Sequence, residues 1–151
     1  MICCAVIDTN VLVSALLSSN EGAATVQVIE RLMAGEIVPV YSDSILMEYR
    51  EVLNRRKFHF SSEDVQFFLD FFRKNGILVS PSPTGTVLPD PKDLPFYEIV
   101  MEEREREAYL VTGNLKHFPR EPFIVNPRQM LNILNGKAKQ EKENWHENGM
   151  D

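Results

Sequence analysis

The chain has 151 residues, of which 44% are hydrophobic and 25% charged, and its formal net charge is −6. This length and composition predict one soluble globular domain with room for a hydrophobic core. No apolar run approaches the roughly 20 residues of a membrane span, and the N-terminus carries no export signal, so a cytoplasmic protein is expected. The negative charge disfavours nucleic-acid binding unless a local basic patch overrides it, because phosphates are bound by basic surfaces.

The first predicted element is a buried strand that ends in polar side chains. Residues 2–7 are uninterruptedly apolar and are followed by Asp8, Thr9 and Asn10. An apolar run this short is typical of a parallel strand that is covered on both faces. Ligand crevices in open α/β sheets lie at the carboxyl ends of the strands, so Asp8 is expected at such a crevice. A helix over 11–17 is predicted to start beside it.

Strands and helices alternate along the rest of the chain. Short apolar runs bounded by turn residues predict four more strands: 36–41, 77–79, 108–112 and 123–125. Apolar residues at helical spacing predict helices at 23–34, 44–54, 61–76, 94–101 and 127–134. Pro39 is expected to weaken the second strand or to mark a sheet edge. The mixed-charge run 102–107 is expected to be a solvated surface.

This alternation predicts an α/β fold. The expected architecture is a three-layer α/β/α sandwich with a mainly parallel, roughly five-stranded sheet. The domain is predicted to cover 1–135. Residues 136–151 are polar and charged and are expected to form a flexible C-terminal tail.

Polar residues recur where predicted strands end and helices begin. Glu48 lies on the helix after the second strand, Asp93 at the start of a later helix, and Asn114 just after the fourth strand. A parallel sheet can bring these residues to one edge with Asp8. Clustered carboxylates require a cation, and Mg²⁺ or Mn²⁺ prefers such oxygen ligands. The chemistry indicated is phosphodiester hydrolysis, because such an ion polarises phosphoryl oxygens and activates water.

Each of these residues also has a purely structural interpretation. Asp93 suits the N-cap of its helix, which by itself would account for it. Glu48 alone is typical of a surface residue, and Thr112 and Asn114 suit a turn. Asp8 is the hardest to explain structurally, because a carboxylate at the end of a buried strand is costly to desolvate. The joint placement of these residues therefore favours a functional site.

Four blocks of sequence carry a resemblance to a known family. They are 6–15 (VIDTNVLVSA), 44–49 (SILMEY) with 52–53 (VL), 90–93 (DPKD) and 109–114 (YLVTGN). On these blocks the chain resembles the PIN-domain nucleases over about residues 1–134, in particular the toxin components of toxin–antitoxin systems. The opening block followed by the later acids in this order is specific, whereas any one block alone is not.

The resemblance implies a site and an activity. It implies that Asp8, Glu48 and Asp93 hold Mg²⁺ or Mn²⁺, and that Asn10 and Thr112 support the site. The implied activity is metal-dependent cleavage of RNA. RNA is then the substrate and an antitoxin protein the expected partner. A homodimer is a further expectation, and the helix pair over 23–53 is the candidate contact for either protein partner.

One position departs from the family's pattern. Many members have an aspartate where this chain has Asn114. The amide oxygen can still coordinate a cation, so Asn114 is predicted as a fourth metal ligand. With one negative charge fewer, the site is expected to hold a second metal ion more weakly. The alternative function is therefore a PIN-like module that binds RNA or a protein without turnover.

Basic residues follow two of the predicted site residues. If they flank the acidic crevice, they form a positive rim for phosphates, but a solvated helix end explains them equally well. The candidate substrate-binding residues are Arg50, Arg55, Arg56, Lys57 and Lys116.

A phosphotransfer enzyme or receiver domain with Asp8 as nucleophile is a third interpretation. A phosphatase of the haloacid dehalogenase type needs a second aspartate where Asn10 stands. A receiver domain needs a lysine late in the sheet, whereas the fourth strand ends in Thr112 and Gly113. The sequence therefore fits this interpretation poorly.

Overall fold

The computed structural model describes residues 2–136, which fold around a parallel sheet of five strands in the order β3–β2–β1–β4–β5. The strands are Cys3–Ile7 (β1), Ile37–Tyr41 (β2), Ile77–Leu78 (β3), Tyr109–Val111 (β4) and Ile124–Val125 (β5). The helices are Thr9–Leu17 (α1), Ala24–Met33 (α2), Asp43–Leu53 (α3), Ser62–Asn75 (α4), Leu94–Glu102 (α5) and 127–136 (α6), where the described residues end. The predicted three-layer α/β fold with a parallel sheet is confirmed.

β1 lies at the centre of the sheet because its residues suit burial on both faces. Ala5, Val6 and Ile7 are fully buried. β1 pairs in parallel with β2 on one side and with β4 on the other. The direction of chain progression reverses between β1 and β4, and α/β sheets bind ligands beyond the carboxyl ends of such strands. The first residue after β1 at this point is Asp8.

β2 is an interior strand although it contains Pro39. Pro39 pairs with Ala5 of β1, whereas β3 pairs with β2 from Val40 onward. Pro39, which has no backbone N–H, therefore lies just before the β2–β3 ladder begins. On the side that faces β3, no hydrogen-bond donor is required at this position. The expectation that Pro39 marks a sheet edge is wrong.

The charged run after α5 is less solvated than the sequence indicated. α5 ends at Glu102, and a separate 3₁₀ turn follows at Arg104–Arg106. The Arg104 guanidinium lies 3.8 Å from the centroid of the Phe123 ring and donates a hydrogen bond to the carbonyl of Ala108. Arg104 thus contacts the residue before β4 and the residue before β5, which local charge patterning does not reveal.

The helix pair proposed as a contact for a partner turns most of its apolar residues inward, although 70% of Met47 on α3 is exposed. Val28 and Leu32 of α2 and Ile45 and Leu53 of α3 are all buried in the core. The contact with a second copy or an antitoxin stays a prediction, and it would use the exposed faces of these helices, which include Met47.

None of the helices within residues 2–136 is long and apolar enough to cross a membrane. The predicted C-terminal tail, except for residue 136, lies outside the described residues.

Candidate functional site

Asp8 is held at the carboxyl end of β1 by both its backbone and its side chain. Its N–H donates to the carbonyl of Val111 at 2.9 Å, which continues the β1–β4 ladder by one residue. Its carboxylate Oδ2 accepts hydrogen bonds from Thr112 Oγ1 at 2.8 Å and from Asn10 Nδ2 at 3.2 Å. Asp8 precedes α1, but its side chain does not cap that helix. The carboxylate is therefore held by the residue after β4 and by the first turn of α1, and only 4% of Asp8 is exposed.

Asn10 connects the start of α1 to the turn after β4. While its amide nitrogen donates to Asp8, its Oδ1 accepts the backbone N–H of Gly113 at 3.0 Å. A Cβ atom on Gly113 would lie 3.2 Å from Asn10 Oδ1, so a side chain there would crowd this bridge. Asn10 and Thr112 thus support the Asp8 carboxylate from two directions.

Glu48 reaches the same region from α3. Ser42 caps this helix by accepting the N–H of Ile45, and the next residue after Glu48, Tyr49, donates its hydroxyl to the carbonyl of Ile7. That contact attaches α3 to the end of β1. The Glu48 carboxylate in turn accepts a hydrogen bond from the hydroxyl of Thr9. Glu48 is therefore tied to the residue that follows Asp8.

Asp93 is the third carboxylate, and it is not used as a helix cap. Asp90 opens the 3₁₀ turn Pro91–Asp93 by accepting the N–H of Lys92 at 3.0 Å. α5 begins at Leu94 as predicted, yet the Asp93 carboxylate makes no capping hydrogen bond to it. Its Oδ2 instead contacts Nδ1 of His117 at 3.0 Å. The capping explanation of Asp93 is therefore wrong, and its carboxylate is oriented by a residue beyond β4.

The pKa of Asp8 shows the electrostatic state of the site. Burial is the main cause that raises this pKa, from 3.8 to about 6. The hydrogen bond from Thr112 opposes the shift, while the negative charges of Asp93 and Glu48 add to it. Burial raises the pKa of Glu48 and of Asp93 as well, against hydrogen bonds from Thr9 and His117 respectively.

The three acids therefore interact with one another. The charge of Asp93 raises the pKa of both Asp8 and Glu48, and the charge of Glu48 raises the pKa of Asp8. Partly buried carboxylates that repel one another are stabilised by a cation between them, and oxygen ligands suit hard divalent ions. Within residues 2–136, however, Asp8, Glu48 and Asp93 are not a group whose ligand atoms all lie within 4.8 Å of one another, so coordination of one ion by all three stays a prediction.

Two further residues extend the acidic cluster. One ligand atom from each of Asp90, Asp93 and His117 lies within 4.8 Å of the other two, a grouping that can hold a metal ion. Asp90 stands in the 90–93 block, but its spacing alone does not distinguish it from a turn residue. His117 stands among basic residues in the sequence, and because it lies 24 positions after Asp93, no local pattern predicts their contact.

Asn114 lies next to this cluster on the turn after β4. Its backbone N–H donates to Thr112 Oγ1 at 3.0 Å, and its side chain is exposed. Thr112 Oγ1 thus accepts from Asn114 and donates to Asp8, which makes the Thr112 hydroxyl the link between the two. Coordination of a metal by Asn114 stays a prediction.

A groove of about 1000 Å³ leads away from the acids. Its lining includes Thr9, Asn10 and Glu48 together with Asp90 and Asp93. Further along and beyond α1 and α3 the lining is mixed: Val13, Leu17, Val52 and Phe58 are apolar, whereas Ser14, Ser18, Glu51 and Arg55 are polar or charged. The acidic cluster is therefore open to a ligand much larger than a metal ion.

The predicted basic residues are only partly arranged around this groove. Arg55 lines it, together with Lys92, which no local charge pattern distinguishes in the sequence. Lys116 lines a separate depression beside Asn114 and His117. The other three, Arg50, Arg56 and Lys57, are exposed but do not line the groove.

A parallel α/β sheet with three interacting carboxylates at its switch point, open to a large groove, is typical of enzymes that use divalent cations. The family model of the PIN domain matches residues 4–116, so the chain belongs to the PIN-domain family. PIN domains are generally nucleases and typically depend on divalent metal ions. The match includes Asp8, Glu48, Asp93 and Asn114 and ends one residue before His117. No curated protein and no solved structure matches the chain.

Proposed function

We propose that this protein is a cytoplasmic, metal-dependent endoribonuclease that hydrolyses RNA phosphodiester bonds. In this proposal Asp8, Glu48, Asp93 and Asn114 hold Mg²⁺ or Mn²⁺. The observation that carries the proposal is the convergence of three carboxylates from β1, α3 and the turn before α5. Membership of a family of nucleases supports the reaction class.

Each of the three acids has a donor that orients it. Thr112 donates to Asp8, Thr9 donates to Glu48, and His117 contacts Asp93. Hydrogen bonds of this kind fix the direction of a ligand and strengthen metal binding. A metal site built from these residues would therefore be preorganised, so its side chains would not have to be reoriented when the ion binds.

The chemistry requires a phosphate to be brought close to these acids. A bound divalent ion would polarise a phosphoryl oxygen and lower the pKa of an attacking water. The chain itself supplies the groove that admits the substrate and two cations in its lining, Arg55 and Lys92. These cations offset part of the repulsion between a polyanion and the carboxylates.

The direct test is cleavage of a mixed single-stranded RNA pool by the purified protein, with Mn²⁺ or Mg²⁺ and with a chelator. Cleavage that requires the metal and is lost in the Asp8→Asn variant would support the proposal. The variant also controls for contaminating nucleases, because it is purified in the same way. Equal cleavage by the variant would contradict the proposed role of Asp8.

A module that binds RNA or protein without turnover is the second candidate. It is supported by the neutral, exposed side chain of Asn114, which contributes no charge to a second metal ion. The Asn114→Asp variant separates the two candidates. If the natural protein binds RNA and Mn²⁺ but does not cleave, and the variant does cleave, the binding module is favoured.

The resemblance to toxin components supports a narrower proposal, that this nuclease is the toxin of a toxin–antitoxin pair. Expression of the protein in growing cells would then arrest growth, and Asp8→Asn would relieve the arrest. Growth that is unaffected by the active nuclease would contradict the toxin role without affecting the enzyme assignment. Gel filtration of the purified protein tests the proposed homodimer separately.

A further inference from the structure

The groove beyond the acids contains a second, chemically different region. Thr9 and Glu48 are hydrogen-bonded to each other, which sets α1 against α3 at the acidic end. One turn further along each helix, about 6 Å away, the lining residues are Val13 and Val52. Apolar side chains thus join the lining within one helical turn of Thr9 and Glu48, beside the polar Ser14 and Glu51.

The far end of the groove combines apolar side chains with an ion pair, because Glu51 and Arg55 both line it. Leu17, at the end of α1, and Phe58 line it, although 53% of Leu17 is exposed to solvent. Arg55 also lines this end, and its guanidinium pairs with Glu51 at 3.1 Å. Lys57 Nζ lies 5.1 Å from the centroid of the Phe58 ring.

Phe58 is held in a defined orientation. It stacks on Phe60 with the ring centroids 5.7 Å apart and an angle of 18° between the ring planes. A ring fixed in this way loses little conformational entropy when a second flat group packs on it. Aromatic side chains in single-stranded nucleic-acid sites act as such platforms for bases.

We propose that this end of the groove binds the base of a nucleotide close to the scissile phosphate. In this arrangement the base packs among Leu17, Val52 and Phe58, and Arg55 contacts the adjoining phosphate. The inference rests on the proposed ribonuclease function and adds a specificity-determining pocket to it. The arguments for a nucleotide are the continuity of the pocket with the acids and the combination of apolar side chains with the guanidinium of Arg55.

The pocket restricts the form of the RNA. Arg55 lies beyond the end of α3, two residues after Leu53, whereas Glu48 lies inside this helix, so the bound nucleotide is near the cut but distinct from it. A base that packs against protein is not paired in a duplex. The substrate is therefore single-stranded at this nucleotide, and a complementary strand that pairs it prevents cleavage.

The test is an abasic scan of a single-stranded RNA that the protein cuts at one position. Removal of one base within a few nucleotides of the cut is expected to lower kcat/KM roughly tenfold for the natural protein. In the Phe58→Ala variant, removal of the same base is expected to change kcat/KM little further, because the pocket has already lost its aromatic ring. Phe67→Ala, which removes an exposed aromatic ring outside the groove, behaves like the natural protein. Phe58→Tyr keeps the ring and is expected to keep the effect.

A binding measurement separates failure of the pocket from failure of the enzyme. In the Asp8→Asn background, RNA with 2-aminopurine at the critical position is expected to lose fluorescence on binding as the base stacks. The fluorescence is expected to stay unchanged when Phe58→Ala is also present and to fall as before when Phe67→Ala is present instead. If the fluorescence behaves in this way but the natural protein never cleaves RNA, the base-binding pocket is supported and the proposed ribonuclease function is contradicted.

The abasic scan can also contradict the pocket. If the natural protein cleaves RNA and Phe58→Ala responds to every abasic position as the natural protein does, the pocket does not bind a base. An apolar peptide then becomes the candidate occupant.

Discussion

The hydroxyl of Thr112 donates a hydrogen bond of 2.8 Å to Oδ2 of Asp8, although the two residues are 104 positions apart in the chain. Both are buried, and each follows immediately after one of two adjacent parallel strands, β4 and β1. The sheet thus aligns a donor with an acid at its switch point. The same hydroxyl accepts the N–H of Asn114, which fixes its direction.

Thr112→Val should weaken the site while the fold is retained, because valine has nearly the same shape but no hydroxyl. Loss of a hydrogen bond that orients a metal ligand typically lowers activity or affinity by about 10–100-fold. We expect this loss in metal-dependent RNA cleavage at saturating Mn²⁺. Thr112→Ser, which keeps the hydroxyl, is the matched control and should retain most of the activity. Equal activities of the valine and serine variants would contradict the assigned role.

The metal-free protein should lose stability as the pH rises because of Asp8. Its pKa in the folded protein is about 6, above the unfolded value of 3.8, so folding favours the neutral carboxyl. This contribution is complete below about pH 4 and is lost as the pH rises through about 6, on the order of 2–3 kcal/mol. The Asp8→Asn variant has no ionisable group at position 8 and should lack this pH-dependent contribution to stability.

The measurement is urea unfolding in the presence of a chelator at several pH values, with the natural protein and Asp8→Asn compared at each pH. Relative to the variant, the natural protein should become less stable toward neutral pH. Addition of Mn²⁺ at neutral pH should reverse the difference, because a cation stabilises the ionised carboxylates. A constant difference between the two proteins across this pH range would show that Asp8 is not perturbed by folding.

His117→Ala should lower the affinity for Mn²⁺ by about 10–100-fold, because Asp93 loses the group that orients it and the cluster loses a nitrogen donor. Calorimetric titration with Mn²⁺ would measure this change directly. Leu115→Ala, in the same 3₁₀ turn, controls for disturbance of the turn and should bind Mn²⁺ normally. If both variants lose affinity to the same extent, the effect belongs to the turn and not to the imidazole.

Tyr49→Phe should destabilise the fold by about 1–3 kcal/mol, because it removes a buried hydrogen bond to the carbonyl of Ile7. That bond attaches α3 to β1 next to Asp8, so its loss also loosens Glu48. Urea unfolding at a fixed pH measures the change in free energy. Tyr97→Phe removes the hydroxyl of another largely buried tyrosine and serves as the reference. Identical free energies for the two variants would show that the Tyr49 contact contributes nothing specific.

Much of this fold is predictable because the signals are local. β1 is an unbroken apolar run, and the helices show apolar residues at helical spacing with Ser42 or Ser61 as caps. Observed strand ends differ from the predicted ones by about one residue, because a strand ends where its backbone pairing ends, whereas apolar sequence often continues. Pro39 suggests a sheet edge because the sequence of β2 does not show at which residue the pairing with β3 begins.

The site is harder to predict because its contacts join distant parts of the chain. Asp8 stands out, since a carboxylate after a buried strand has few structural explanations. Asp93 is ambiguous in the sequence, because capping and metal binding use the same residue type at the same position, and the structure shows that capping does not occur. The contact of His117 with Asp93 crosses from the turn after β4 to the turn before α5, and no local pattern reports it.

The central claim is that Asp8, Glu48 and Asp93 jointly hold a divalent cation. The most direct measurement is a Mn²⁺ titration followed by the electron paramagnetic resonance signal of the free ion, for the natural protein and for Asp8→Asn, Glu48→Gln and Asp93→Asn. We predict that the natural protein binds Mn²⁺ and that each variant, while still folded, binds it about tenfold more weakly or worse. Unchanged Mn²⁺ binding in all three folded variants, or no binding by the natural protein, would contradict the claim.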